Sequence, residues 1–331
     1  MKLVMTLMVR NEADIIDRQI AFHLAAGVDF VIAMDHGSTD ETRPMLEGYE
    51  KRGVLQLLTA SGPTKQKSAR YTRMARMAAA ELGADWVINS DADEFWWPSG
   101  GSLKDVLREI PAHYGIVRTF VRPFLPRPES EPLFERMTVR FTPSAPINNP
   151  FDPFRVNVRL IHRGDPAIVV GGGNASVRSG LRPLRGWSPI EVLHLPIRSL
   201  AQFERKFLTH YETSAGERRR GEHVRAHEAK EAGTLEQLYQ QLCVDDAQLS
   251  RGLAAGTLAV DTRLREAIRQ LDATALSFPP RNDRERAEYA VDEEVLASGE
   301  TVRLYRRADD LQARLRALEQ RRQPILRRAS W

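Results

Sequence analysis

The first hundred residues alternate between unbroken apolar runs and amphipathic segments, and few folds accept that pattern. Residues 2–9, Phe30 to Met34, Val54 to Leu58 and Trp86 to Ser90 are apolar with little polar alternation. A strand that faces water on one side alternates in polarity, whereas one buried on both faces does not. Helical segments separate these runs: Asn11 to Ala26, one opening at Ser38-Thr39-Asp40-Glu41, and Lys65 to Leu82. Ile16, Ile20 and Leu24 recur every four residues and make one apolar stripe along the first helix. Asn11 is placed to cap that helix, with Asp14 in its first turn, and Ser38 to Glu41 fits the capping-box pattern. Buried strands joined by helices predict an α/β fold, a mostly parallel sheet with helices on both faces.

In such sheets ligands sit at the carboxyl ends of strands. Three polar clusters fall there: Arg10-Asn11-Glu12, Asp35 to Asp40, and Asp91 to Glu94. The last is the most informative. Read as extended chain, Asp91 and Asp93 share one side while Ala92 points away. Two carboxylates roughly 6 Å apart repel by about 3 kcal/mol at an effective dielectric near 20. A divalent cation removes that repulsion, and Mg2+ or Mn2+ favours oxygen ligands. The alternative is an acidic strand end exposed to water.

The pattern loosens from about residue 111. Prolines 123, 126, 128, 132, 143, 146, 150 and 153 alternate with short strand candidates, Val156 to Ile161 and Ala167 to Val170. Ile197 to Tyr211 reads as an amphipathic helix, 214–232 as an exposed helix or mobile connection, and the rest as mainly helical, ending on Leu304, Leu311, Leu315 and Leu318. The division expected is 1–110 as a nucleotide-binding half, 111–212 as the half completing the acceptor and metal side of the same domain, and 213–331 as a helical extension. The single cysteine, Cys243, excludes an internal disulfide framework and fits a reducing compartment or a core position. No apolar run has the length of a membrane span, and the amino terminus lacks a signal-peptide cleavage region. A cytoplasmic setting is expected, with the basic carboxyl-terminal helices as a peripheral membrane contact. The net charge of +4 is mild and acidic residues interleave most arginine clusters, so no nucleic-acid partner is expected.

At this point the motifs resemble those of a known family. Val9-Arg10-Asn11-Glu12 resembles the opening "KNE" segment of GT-A glycosyltransferases of the large inverting family two, in particular the DUF23-like subgroup. Ala21-Phe22-His23-Leu24-Ala25-Ala26-Gly27-Val28 is similar to its "YHLALGV", and Met34-Asp35-His36-Gly37-Ser38-Thr39-Asp40-Glu41-Thr42 to its "DNGSTDGT". Trp86 to Phe95 is similar to "WVLFLDADEF", and His194-Leu195-Pro196-Ile197-Arg198-Ser199 with Phe203 and Lys206 to "HYPVRSxxxFxxK". The resemblance covers roughly residues 1–100 and 190–210. His36 stands where related enzymes often carry Asp or Asn, and Gly171-Gly172-Gly173-Asn174 where they often place a His.

The resemblance implies a GT-A, Rossmann-like fold and an enzyme moving sugar from a nucleotide-diphosphate sugar, most simply a UDP-sugar, to a glycan, lipid or protein hydroxyl with inversion. It implies that Asn11, Asp35 and Asp40, with Glu12 beside them, hold the nucleoside. Asp93 would ligate a divalent cation, with Asp91 at the ribose or a metal-bound water and His194 as a further ligand. Arg198 and Lys206 would hold the departing phosphate. Lys67, Arg70 and Arg73 form a basic helical stripe that faces either the nucleotide or water. The proton acceptor is open among Glu191, Asp152 and Glu94. Trp96 and Trp97 either stack on an acceptor sugar or pack in the core. Two other readings are a nucleotidyltransferase, which usually begins with a Gly-rich loop that this chain lacks between Leu7 and Ile16, and a non-catalytic nucleotide- or carbohydrate-binding scaffold.

Overall fold

A computed structural model describes residues 1–60, 66–142, 158–171, 174–185, 187–213, 221–271, 276–292 and 294. The first part runs β1 (Leu3–Val9), α1 (Ile16–Ala25), β2 (Phe30–Asp35), α2 (Thr42–Lys51), β3 (Leu55–Thr59), α3 (Lys67–Ala80) and β4 (Trp86–Asp91). β1 pairs in parallel with β2 and β4, and β2 with β3. Leu3, Met5, Leu7 and Val9 pack with Ile16 and Ile20 of α1 and Leu46 of α2. Val4, on the other side of the strand, packs with Tyr71, Met74 and Ala78 of α3. Burial on both faces explains the absence of polar alternation.

The second part changes the sheet. It runs β5 (Glu94–Pro98), α4 (Leu103–Arg108), β6 (Ile116–Pro123), α5 (Leu133–Arg136), β7 (Val139–Phe141), β8 (Val158–Arg163), β9 (Val169–Val170), β10 (Val177–Arg178) and β11 (Ile190–His194). The strand order is β3-β2-β1-β4-β8-β6-β11-β5. β8 lies antiparallel between β4 and β6, β11 parallel to β6, and β5 antiparallel to β11. The expected α/β architecture with helices on both faces is present, with its parallel half at the amino-terminal end of the chain. Trp96 and Trp97 belong to the core: the Trp96 indole donates to Ser90 Oγ at 3.0 Å, and Trp97 meets Phe278 edge-on at 4.6 Å.

The third part runs α6 (Leu200–Thr213), α7 (Gly221–Glu231), α8 (Leu235–Leu242), α9 (Asp246–Ala254), β12 (Leu258–Val260) and α10 (Arg263–Gln270). Among the described residues it is mainly helical, and β12 pairs antiparallel with β7. Phe203 and Phe207 of α6 pack with Leu238 and Tyr239 of α8 and with Leu125 and Val139. Cys243 lies in this cluster, where burial pushes its thiol up. The chain to Arg281 is one compact unit and Asn282 begins another. Asn282 and Glu285 exchange hydrogen bonds at the start of a helix over 283–292. The leucines at 304, 311, 315 and 318, the prolines at 143, 146, 150 and 153, and most arginine clusters lie outside the described residues.

Two capping expectations are corrected. Asn11 has a positive φ of 55° and no role at the start of α1, whose first turn carries no side-chain cap. Ser38 and Glu41 form no capping box, since the Ser38 hydroxyl accepts from Asn11 N. Asn11 and Ser38 tie the two loops together instead. Capping boxes do occur at Ser102–Asp105 and Asp245–Gln248. α1 ends at Gly27, whose φ of 108° favours glycine.

Two buried histidines make stability depend on pH. His23 Nδ1 faces Gln19 O at 2.7 Å, and its Nε2 accepts the Trp96 N–H at 3.1 Å. His162 Nδ1 faces Arg163 O at 2.8 Å and its Nε2 meets Asn89 Nδ2 at 3.0 Å, while Thr6 Oγ1 fixes the Asn89 amide. In both rings one nitrogen must stay unprotonated to accept, and burial lowers each pKa to about 4. A folded pKa below the unfolded one leaves stability intact above about pH 6.5 and removes it as pH falls toward 4. At pH 5 each ring should cost about 2 kcal/mol relative to pH 8. Glu12 and Glu94, whose pKa values burial raises, act in the opposite direction. Urea unfolding of wild type and His162→Gln at both pH values isolates one ring; equal pH dependence in the two proteins would refute the assignment.

Candidate active site

The carboxyl ends of β1 and β2 are stitched together by their loops. Asn11 Oδ1 accepts from Thr39 N at 2.7 Å, Thr42 Oγ1 accepts from Glu12 N at 2.8 Å, and Asp40 Oδ2 accepts from Ala13 N at 3.3 Å. Asn11, Asp35 and Asp40 therefore lie at one strand end, as expected, but Asn11 and Asp40 are engaged with backbone. Burial raises the Asp40 carboxyl less than the hydrogen bonds from Thr42 and Ala13 and the charge of Arg205 lower it, so it sits below its ordinary value. Asp35 is buried, accepts from Ser38 N at 3.1 Å and faces Arg43 Nη1 at 3.4 Å.

The acidic tip departs from the extended geometry read in the sequence. Ala92 and Asp93 form a turn between β4 and β5, so the two aspartates aim at different partners. Asp91 Oδ1 accepts from Lys67 Nζ at 2.7 Å and from Tyr71 Oη at 3.0 Å, and Arg159 Nη2 stands 3.8 Å from Oδ2. Burial would raise its pKa, but Lys67 and Arg159 hold it down to about 2. Glu94 is sealed in, with Arg159 Nε at 2.6 Å and the Asp91 N–H at 3.1 Å. There burial outweighs Arg159 and raises the carboxyl.

Asp93 faces the far side of the sheet. Its Oδ1 lies 3.4 Å from His194 Nε2 at the end of β11, and its Oδ2 accepts from Lys206 Nζ on α6 at 2.6 Å. Arg198 Nη1 is 3.8 Å from Oδ2. Burial works against ionisation, but Lys206, His194 and Arg198 together keep the carboxyl well below its ordinary value. Leu195 N donates to Asp93 O at 2.9 Å, which fixes the turn against the end of β11. Arg198 itself is fully buried, with its Nε on Asp14 Oδ2 at 2.6 Å and its Nη2 on both Asp14 Oδ1 and Glu12. Five carboxylates (Glu12, Asp14, Asp91, Asp93, Glu94) thus meet four cations (Lys67, Arg159, Arg198, Lys206), a nearly balanced set.

The other predicted residues fall elsewhere. Glu191 on β11 lies between Arg122 Nε at 2.8 Å and Arg263 Nη1 at 2.6 Å, on the opposite side of the strand from His194. Despite burial, Arg263 and Arg122 hold its pKa at about 2, which makes it a poor proton acceptor. Asp152 lies outside the described residues. The basic stripe on α3 divides, with Arg70 buried, Arg73 exposed and Lys67 on Asp91. A groove of about 1100 Å³ runs along α3 and β3 past Leu58, Ser68, Thr72 and Arg76, and none of the five carboxylates lines it. Arg159, Tyr71 and Asp14 were not legible as site residues, because their partners lie 65, 20 and 184 positions away.

Among the described residues no three His, Cys, Asp or Glu side chains group as a ready ion cage. The pair Asp93 Oδ1 and His194 Nε2, at 3.4 Å, nevertheless suits two adjacent ligands of a six-coordinate ion with bonds of about 2.1 Å. Mg2+ and Mn2+ commonly take one or two protein ligands and complete their shell with water and substrate phosphates.

The acidic turn, the histidine and the basic side chains thus gather at the carboxyl ends of strands, where ligands sit in open α/β sheets. Residues 5–146, fewer than half of the 331, match the sequence profile of glycosyltransferase family 92. No curated protein sequence matches the chain. Similar solved structures include TarS 1–349 of S. aureus with UDP-GlcNAc, at TM-score 0.33 and 14% identity over 90% of this chain and 92% of that one. Another is glucosyl-3-phosphoglycerate synthase of Mycobacterium tuberculosis with Mn2+, UDP and glucosyl-3-phosphoglycerate, at TM-score 0.25 and 19% identity. That match spans 37% of this chain and 44% of the synthase, less than half of its length.

Proposed function

We propose that this chain is a metal-dependent glycosyltransferase that moves a sugar from a UDP-sugar to an acceptor hydroxyl, with inversion at the anomeric carbon. The observation that carries the reading is the approach of Asp93 and His194 at the end of the sheet, among carboxylates already matched by four cations. With five carboxylates against four cations, this cluster carries no net positive charge to meet a diphosphate, so the donor's charge calls for a cation of its own. Asp93 and His194 would hold it. When bound, a divalent ion neutralises the diphosphate as its bond to the sugar breaks. Asp35, at the end of β2, is the carboxylate suited to accept from a uracil N–H or a ribose hydroxyl.

In the transfer the acceptor oxygen attacks the anomeric carbon, and the bond from that carbon to the diphosphate breaks with its electron pair leaving on UDP. The hydroxyl proton passes to a carboxylate. Glu191 and Glu94 are clamped by guanidinium groups. Asp152 is therefore our proposed proton acceptor, on sequence grounds alone.

Thermal unfolding with UDP, other nucleoside diphosphates and UDP-sugars, each with Mn2+, Mg2+ or EDTA, tests the reading. A ligand at 100 times its Kd stabilises the protein by about 2.7 kcal/mol. A shift for UDP that EDTA abolishes is expected. No shift with any nucleotide would sink the proposal.

A further inference from the structure

Lys206 shares Asp93 with the proposed cation, holding Oδ2 while the ion would take Oδ1 beside His194. Its Nζ donates to Asp93 Oδ2 at 2.6 Å and to Pro196 O at 3.1 Å. Its neighbours Phe203 and Phe207 are buried, so α6 sets where the ammonium reaches. Gln202, one turn earlier, accepts from Arg198 N at 3.1 Å and donates to Pro196 O at 3.3 Å, fixing the start of the helix. Lys206 is thus held against Asp93 by the fold rather than by chance contact on a surface. Asp91 is turned to other partners, its Oδ1 accepting from Lys67 and Tyr71.

We infer that Lys206 is a built-in counter-ion that keeps Asp93 from binding a divalent cation tightly on its own, so that ion and nucleotide diphosphate enter the site together. The inference rests on the transferase reading above and concerns the order and coupling of binding at the same site. One carboxylate cannot fully neutralise both an ammonium and a dication. The diphosphate resolves that conflict, since its oxygens complete the shell of the ion and also accept from the Lys206 ammonium. Each ligand then raises the affinity of the other by the same factor, as linkage requires. Lys206 is on this account a positioning residue, holding Asp93 before the donor arrives and the phosphates afterwards.

The test is Mn2+ binding to the full chain, followed by calorimetry or by the electron paramagnetic resonance of free Mn2+, with and without UDP. Wild type should bind Mn2+ weakly alone and at least about tenfold more tightly with UDP present. Lys206→Met keeps the length of the side chain and removes its charge. It should bind Mn2+ alone about tenfold more tightly than wild type, bind UDP more weakly, and show a smaller coupling between the two. Lys206→Arg keeps the charge and should retain weak binding of Mn2+ alone. A gain of metal affinity is not a result that mere loss of packing produces. Equal or weaker Mn2+ binding by Lys206→Met would overturn the inference while leaving the transferase reading intact. Failure of wild type to bind Mn2+ at any UDP concentration would defeat the metal-dependent reading and this inference with it.

Discussion

Asp93→Asn should lose roughly a thousandfold in sugar transfer or donor hydrolysis and also melt at a lower temperature than wild type. The loss of turnover follows from the proposed role of Oδ1 beside His194. The loss of stability follows from charge. Lys206, His194 and Arg198 hold the folded pKa of Asp93 well below its ordinary value. A depressed carboxyl contributes stability above its unfolded pKa, near 3.9, and that contribution fades only as pH falls through the folded value. At neutral pH the wild type therefore carries the whole contribution and the amide carries none. Calorimetric melting and a donor-hydrolysis assay on the same preparation check both parts. Full turnover would remove Asp93 from the site. A higher melting temperature would mean that repulsion from Asp91 and Glu94 outweighs the attraction of the cations.

Arg198→Ala should destabilise the fold by about 3–5 kcal/mol, the range for breaking a buried ion pair by removing one partner. The guanidinium binds Asp14 through two nitrogens, touches Glu12 and donates to Leu195 O at 3.4 Å. Its loss leaves Glu12, whose carboxyl burial already raises, without its main counter-charge. Adding Glu12→Gln and Asp14→Asn to the alanine variant should recover part of the loss, since the uncompensated charges go with them. Urea unfolding midpoints measure both. A change below about 1 kcal/mol in the single variant would show that the network carries little of the stability. The motif match gave Arg198 to the departing phosphate. Its burial makes it first a clasp between the loop after β1 and the start of α6.

The parallel half of the sheet was readable because its cause is local. β1 is apolar apart from Thr6 since Leu3 and Val4 are buried on opposite faces, and such a run has few other places to fold. The same held for the stripe on α1 and for the three polar clusters at strand ends. The capping assignments failed where side chains had a second choice. Asn11 and Ser38 meet each other across 27 positions, and a bond between loops replaced the bond within a helix. Glu191 reads as a base in the chain, but Arg263 and Arg122, arriving from other segments, hold its carboxyl down to about 2, where it is a poor proton acceptor.

By itself the sequence determined the buried strands, the helices between them and the carboxylates at strand ends, because periodicity and composition act over neighbouring residues. Only the tertiary structure decided what those carboxylates face. Lys67, Arg159 and the pair Arg198 and Lys206 come from three separate segments, and Asp93 reaches His194 across 101 positions only because β5 pairs with β11. The energy of a charge depends on what surrounds it in space, and chain closure over such distances leaves no trace in local pattern.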